Sequence, residues 1–179
     1  MGILNKYISR LLNGDKMFYI NMFFIYSFLG FIFENVVACI GNTNFNSGIL
    51  YGPWTFIYGI AIFVLLLLNK FLNQSNLKKW LKILLFFIGA TILMTIIEYS
   101  GGMLIEKMFH IVYWDYTNLK FNYGYYISLE TSLGWGLFAT FVNYLLTPAL
   151  DNLANKIPWY ITILFIILFI TDIICVIVN

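Results

Sequence analysis

Apolar residues in this chain come in long blocks, separated by short polar interruptions. Five blocks stand out, at about 17–40, 54–68, 80–105, 125–146 and 158–178. A helix needs about 20 mostly apolar residues to cross the hydrocarbon core, so four blocks are long enough and 54–68 is short. The interruptions carry turn residues: GNTNFNSG at 41–48, NQSN at 73–76, TNLKFNYG at 117–124 and TPALDN at 147–152. The pattern predicts an all-α fold, a polytopic transmembrane helix bundle of about five spans. Residues 1–16 set Ile3, Leu4, Tyr7, Ile8, Leu11 and Leu12 against Lys6 and Arg10. That spacing predicts an amphipathic helix on the cytoplasmic membrane surface. The expected domains are therefore 1–16, this surface helix, and 17–179, a single transmembrane domain.

Composition strengthens the membrane assignment. Of 179 residues 61% are hydrophobic and only 10% charged, where a soluble domain carries about 25% charge. The formal net charge of +2 is spread thinly, so no nucleic-acid partner is expected. Cys39 and Cys175 lie in apolar blocks without CxxC spacing and read as buried thiols. The first residues lack a signal-peptide cleavage site, and Lys6 breaks the myristoylation pattern.

Lysine and arginine fix an orientation. Lys6, Arg10, Lys16, Lys70, Lys78, Lys79, Lys82 and Lys156 fall on one side of alternating spans, and only Lys107 and Lys120 on the other. By the positive-inside rule the amino terminus is cytoplasmic and the carboxyl terminus outside. This orientation brings Glu34, Glu98, Glu130 and Asp172, all within apolar blocks, to a similar depth near the outer face. A carboxylate at a helix centre costs roughly 2.5 kcal/mol or more, so such residues usually have a partner or a task. Gly30, Gly102 and Gly134 each lie one turn from a glutamate and would let helices approach closely. Glu34, Glu98 and Glu130 are therefore expected to point into the bundle. Asp172 has no such glycine, and its carboxyl is expected to reach towards the headgroups.

Two stretches add candidate chemistry. In SGILYGPWTFIYG (47–59), Gly48, Gly52 and Pro53 interrupt any helix, and Pro53 suits a helix start. Non-helical backbone at membrane depth must be buried in protein or line a cavity, so this is a candidate re-entrant loop; a tight turn anchored by Tyr and Trp is the alternative. In EYSGGMLIEKMFHIVYWDY (98–116), Glu98, Gly102 and Glu106 form one stripe that continues towards Trp114 and Asp115. Aromatic belts alone can account for Trp and Tyr here. His110 could join Glu106 and Asp115 around a metal, but no metal-ligand spacing supports this and no metal or other cofactor is expected. The chain has no GxxxxGK[ST], HExxH or GxSxG. ATP, if used, is bound elsewhere, and an enzyme reading is weak.

The chain resembles the CmpB-like family of small bacterial membrane proteins, the type IV ABC-transporter permeases. The resemblance runs from about Phe23 to about Leu146. It rests on YSFLGFIFE, GILYGPWTFIYG, EYSGGMLIEK, WDY, FN and SLGWG. It implies a permease-like protein of the bacterial cytoplasmic membrane. Glu34, Tyr51, Gly52, Pro53, Glu98, Gly102, Glu106, Trp114 and Asp115 match family positions and become substrate-binding candidates, with Glu130 added from its placement alone. The chain departs from the family pattern at Phe31, where Trp is usual, and at Ser47 and Tyr126, where Arg is common. Loss of both arginines makes the site more acidic and disfavours an anionic substrate.

The expected function is a transport component with an outward-facing acidic site for a cation or an amine-bearing small molecule. A chain this small would work as a homo-oligomer or with a separate ATPase or coupling subunit in the lipid bilayer. The alternatives are a membrane-embedded enzyme acting on lipid or cell-envelope intermediates, and a non-catalytic membrane interaction protein.

Overall fold

The computed structural model describes residues 16–40 and 50–178. The surface helix expected at 1–16 (Lys16 apart), the 41–48 interruption and Ser47 lie outside the described residues. Within them the chain forms α1 (Lys16–Ile40), α2 (Phe56–Gln74), α3 (Lys79–Phe109), β1 (Asn122–Tyr123), β2 (Ile127–Ser128), α4 (Leu129–Phe141), a π-helical turn (Val142–Leu146), α5 (Thr147–Lys156) and α6 (Trp159–Val178). Among the described residues five helices are long and apolar enough to cross a membrane, counting α4 through α5 as one. Large apolar side chains stand exposed along them, among them Ile92, Ile96, Leu137 and Ile167. In water that exterior would be costly, whereas acyl chains solvate it.

The helix ends follow local chemistry. Ser128 caps α4, accepting from the Thr131 N–H at 3.1 Å while the Thr131 hydroxyl returns to the Ser128 backbone. His110 ends α3 in the left-handed region (φ 56°), donating its N–H to the Glu106 carbonyl at 2.8 Å. α2 starts at Phe56, three residues after Pro53, so the proline sits in the loop and not in the first turn. At 19 residues, α2 is longer than its apolar block because Asn69–Gln74 continue the helix past it. TPALDN, expected to break the chain, is helical instead. Ala149, Leu150, Leu153 and Ala154 are good helix formers and Lys156 suits a C-terminal turn. Pro148 lacks the N–H that an α-helix would use, and the wider π turn precedes it, with the Thr147 hydroxyl donating to the Val142 carbonyl at 3.1 Å. The break falls at Ile157–Pro158.

The structure divides into two compact units. Unit 1 holds α1, the start of α2, α5 and α6; unit 2 runs from Phe63 to Thr147. In unit 1, Phe18, Met22 and Ile62 are fully buried and Phe24 packs edge-on against Trp54 and Phe169. Asn21 sits among them, accepting from the Thr162 hydroxyl at 2.6 Å and donating to the Ala154 carbonyl at 2.9 Å. In unit 2, Leu65, Leu72, Phe86, Ala90 and Ala139 form the core. There α3 and α4 run antiparallel: Gly102 meets Tyr126, Glu98 meets Trp135, Gly136 meets Thr91 and Tyr144 meets Phe86.

Candidate functional site

Glu98 is the buried acid of unit 2, 8% exposed midway along the second half of α3. Its Oε1 accepts from the Tyr116 hydroxyl at 2.8 Å and from the Trp135 indole N–H at 2.9 Å. Its Oε2 is buried and has no hydrogen-bond partner. One turn on, Gly102 lies flat beneath Tyr126, where an added Cβ would come within 2.5 Å of the ring. A further turn on, Glu106 is exposed, and its Oε2 accepts from the Tyr126 hydroxyl at 2.7 Å. The expected stripe of Glu98, Gly102 and Glu106 is thus one wall of an aromatic site completed by Tyr116, Tyr126 and Trp135.

The β1–β2 hairpin positions the other wall. Its Asn122↔Ser128 and Tyr123↔Ile127 pairing leaves a three-residue turn, with Gly124 at φ 63°, a conformation that favours glycine. The turn aims Tyr126 inward, where it is 4% exposed. Trp114 donates its indole N–H to the Tyr126 carbonyl at 3.2 Å and packs edge-on against the Tyr126 ring, centroids 5.8 Å apart. Burial first, and then the Glu106 hydrogen bond and charge, push the Tyr126 phenol up to about 12. Asp115 is exposed and accepts from the Thr117 N–H at 2.8 Å, closing a local turn; that hydrogen bond lowers its pKa.

Glu130 is exposed in the first turn of α4, where the helix dipole favours a carboxylate. Nothing lies within 4 Å of a Cβ built on Gly134, so the close approach expected there does not occur. Two residues on, it occurs at Gly136, where a Cβ would overlap the Thr91 hydroxyl. Among the described residues no group of three His, Cys, Asp or Glu side chains is placed to hold a metal.

Glu34, Tyr51, Gly52 and Pro53 belong to unit 1. Glu34 is half-buried on α1, and Gly30 one turn before it packs against Tyr58. Tyr51 and Gly52 take part through their backbone, because Asp172 claims both. The Asp172 carboxyl accepts from the Tyr51 N–H at 3.0 Å, the Gly52 N–H at 2.7 Å and the Trp54 indole N–H at 2.7 Å. At 9% exposure it does not reach for headgroups. Two backbone N–H groups and an indole N–H converge on it, and these three donors hold the carboxyl against the loop. Cys39 and Cys175 are exposed, not buried, because their turns lie on the outer faces of α1 and α6.

A family model described as "Putative ABC-transporter type IV" matches residues 21–177. The chain belongs to the type IV ABC-transporter family. The match extends beyond the motifs noted above to take in all of α5 and nearly all of α6, with Asp172. No curated protein and no solved structure matches the chain. As a member of this family the protein is a membrane component of a transport system, and two of its buried carboxyls, Glu98 and Asp172, sit in different settings. Asp172 has three donors on its two oxygens and is occupied by the loop. Glu98 has both its donors on one oxygen. Sequence reasoning overlooked Tyr116, Trp135 and Trp54 as partners; the signal available was that each is a donor-bearing aromatic near a span end.

Proposed function

We propose that this chain is the permease-like subunit of a transporter and that Glu98 binds a cation or an amine-bearing small molecule. One observation carries the reading: Oε1 of Glu98 is held by two aromatic donors while Oε2 is buried without a partner. Leaving a buried charged acceptor unpaired costs roughly 1–3 kcal/mol or more, and an ammonium group would recover that. Aromatic faces beside a carboxylate suit a cation, through the ring quadrupole. Tyr126, standing where relatives commonly carry arginine, keeps the wall free of positive charge.

In this reading the amino terminus is cytoplasmic and the carboxyl terminus outside the bacterial cytoplasmic membrane, which puts Glu98 in the outer half of α3. Glu34, Glu130, Glu106 and Asp115 add negative potential on that side, and Trp114 buttresses Tyr126. ATP hydrolysis comes from a separate subunit, and the permease works as a homo-oligomer or with further membrane partners.

Methylammonium added to the purified protein tests this. Trp135 touches the carboxyl, so its fluorescence should change saturably, and the change should be missing in Trp135→Phe and in Glu98→Gln. A Glu98→Gln protein that responds like the parent would end the reading.

A further inference from the structure

The connection from α3 to α4 turns back on the helix it leaves. Tyr126 lies against Gly102, and α3 continues past that contact to Phe109. Those two turns rise about 10 Å at 1.5 Å per residue. The β1–β2 hairpin, which carries Tyr126, therefore stands beside the last turns of α3 and not beyond them. Its first strand is tied to the start of α4, where the Leu129 N–H donates to the Phe121 carbonyl at 2.9 Å. The depth follows from the lysines. Lys82 is the last charged residue of α3 before Glu98. From Lys82 to Gly102 the helix rises about 30 Å, the thickness of a hydrocarbon core. Gly102 thus marks the far edge of that core, and the hairpin falls in the adjoining headgroup layer, roughly 5–8 Å deep.

The surface of the hairpin suits that layer. Phe121, Tyr123 and Tyr125 are exposed, Tyr123 at 71%, and no residue of 121–125 is charged. Leu104 and Met108, also exposed, extend the ridge of Ile92 and Ile96 along α3 at four-residue spacing, so the apolar exterior of the span runs up to the hairpin without a polar border. Tyrosine concentrates at the boundary between lipid and water, where its ring is buried and its hydroxyl wetted. Lys120 carries its ammonium 5.2 Å from the centre of the Phe121 ring. Its apolar stem can lie along the rings while the charge reaches an anionic group.

We infer that the β1–β2 hairpin is a lipid-binding element, with Phe121, Tyr123 and Tyr125 inserted in the headgroup layer and Lys120 at a lipid phosphate. The inference needs only that α3 and α4 cross the membrane, and it is independent of amine binding at Glu98. The bilayer then helps to hold Tyr126 against Gly102, and with it the aromatic wall described above.

Spin labelling of the full chain in vesicles of phosphatidylethanolamine and phosphatidylglycerol tests it. In a Cys39→Ser/Cys175→Ser background, Tyr123→Cys and Tyr125→Cys carry nitroxides at positions whose native rings are exposed, so the fold tolerates the exchange. Ile96→Cys, on the exposed apolar ridge, reports lipid, and Asn76→Cys, exposed between α2 and α3, reports water. At 123 and 125, collisions with a water-soluble nickel chelate should be at least about threefold rarer than at 76, and collisions with oxygen should approach those at 96, as for side chains seated in the interface. Nickel collisions as frequent as at 76 would leave the hairpin in water and overturn the inference. Nitroxides shielded from nickel and oxygen alike would mean that protein, such as a second copy of the chain, covers the tip, and would overturn it too.

Discussion

Glu98 illustrates how much one residue can disclose. A glutamate in an apolar run was visible in the sequence, and so was the glycine one turn away. Its partners were not, because Tyr116 and Trp135 lie 18 and 37 residues on and belong to an aromatic-rich background that needs no function. Glu98→Gln keeps an acceptor for both donors but turns the other atom into an N–H donor facing the cation. Loss of a charged hydrogen bond of roughly 1.5–3 kcal/mol predicts amine binding weaker by about 10- to 100-fold with an unchanged melting temperature. A variant that binds normally, or one that simply unfolds, would contradict this. Tyr126 gives a second outcome at the same scale. Its pKa is raised from 10.0 to about 12, so the native state favours the neutral phenol. The associated stability is complete below pH 10 and disappears as pH climbs through about 12. Ultraviolet titration, taken as the difference from Tyr126→Phe, should show this phenolate forming near pH 12. Glu106→Gln should lower its pKa part of the way, since burial remains. A Tyr126 that ionises near 10 would refute the described packing.

At the level of elements, period and length located the spans, while tertiary partners decided their ends. The 147–152 segment looked like a turn because of Thr, Pro, Asp and Asn, yet in the structure Asp151 and Ala154 are buried and the helix continues. Likewise Asp172 looked isolated on the most apolar helix, whose mean hydropathy is 3.1. Its partners come from a loop some 120 residues earlier, beyond the reach of any local pattern. The loop can be non-helical because α6 supplies the acceptor. Asp172→Asn keeps one acceptor oxygen and replaces the other with an N–H donor, so the Tyr51 and Gly52 amides cannot both be satisfied. Their hydrogen exchange should accelerate at least about tenfold while α3 and α4 stay protected, as expected for local opening. Unchanged protection at Tyr51 and Gly52 would mean that the loop is held by something else. Asn21→Leu should cost about 1 kcal/mol in thermal stability, the usual worth of a hydrogen bond between helices in a membrane, since Thr162 and the Ala154 carbonyl lose their partner together. A variant as stable as the parent would assign unit 1 to apolar packing alone.

For the whole molecule, crossing by all five apolar helices would put the two ends of the described chain on opposite sides of a membrane, and in the proposed reading the lysine distribution chooses which. Family membership gives the transport role, and the proposed function places ATP binding on a separate subunit. The surface that meets it should be the lysine-bearing one, where Lys70, Lys78, Lys79 and Lys82 cluster around the α2–α3 connection. Within it, Lys82 already caps the end of α2 by donating to the Asn73 carbonyl at 3.2 Å. Lys78 and Lys79 stand exposed beside it, free to pair with acidic groups of a partner. Affinity purification from mild detergent should therefore bring down an ATPase. Lys78→Glu/Lys79→Glu should weaken that association and make it less salt-dependent, without altering methylammonium binding at Trp135, because the two regions lie at opposite ends of α3. If the ATPase is retained equally by the charge-reversed protein, the docking surface lies elsewhere. If no ATPase is recovered and transport by the reconstituted chain follows an ion gradient, the chain acts as a secondary transporter and the lysine-bearing surface has another use.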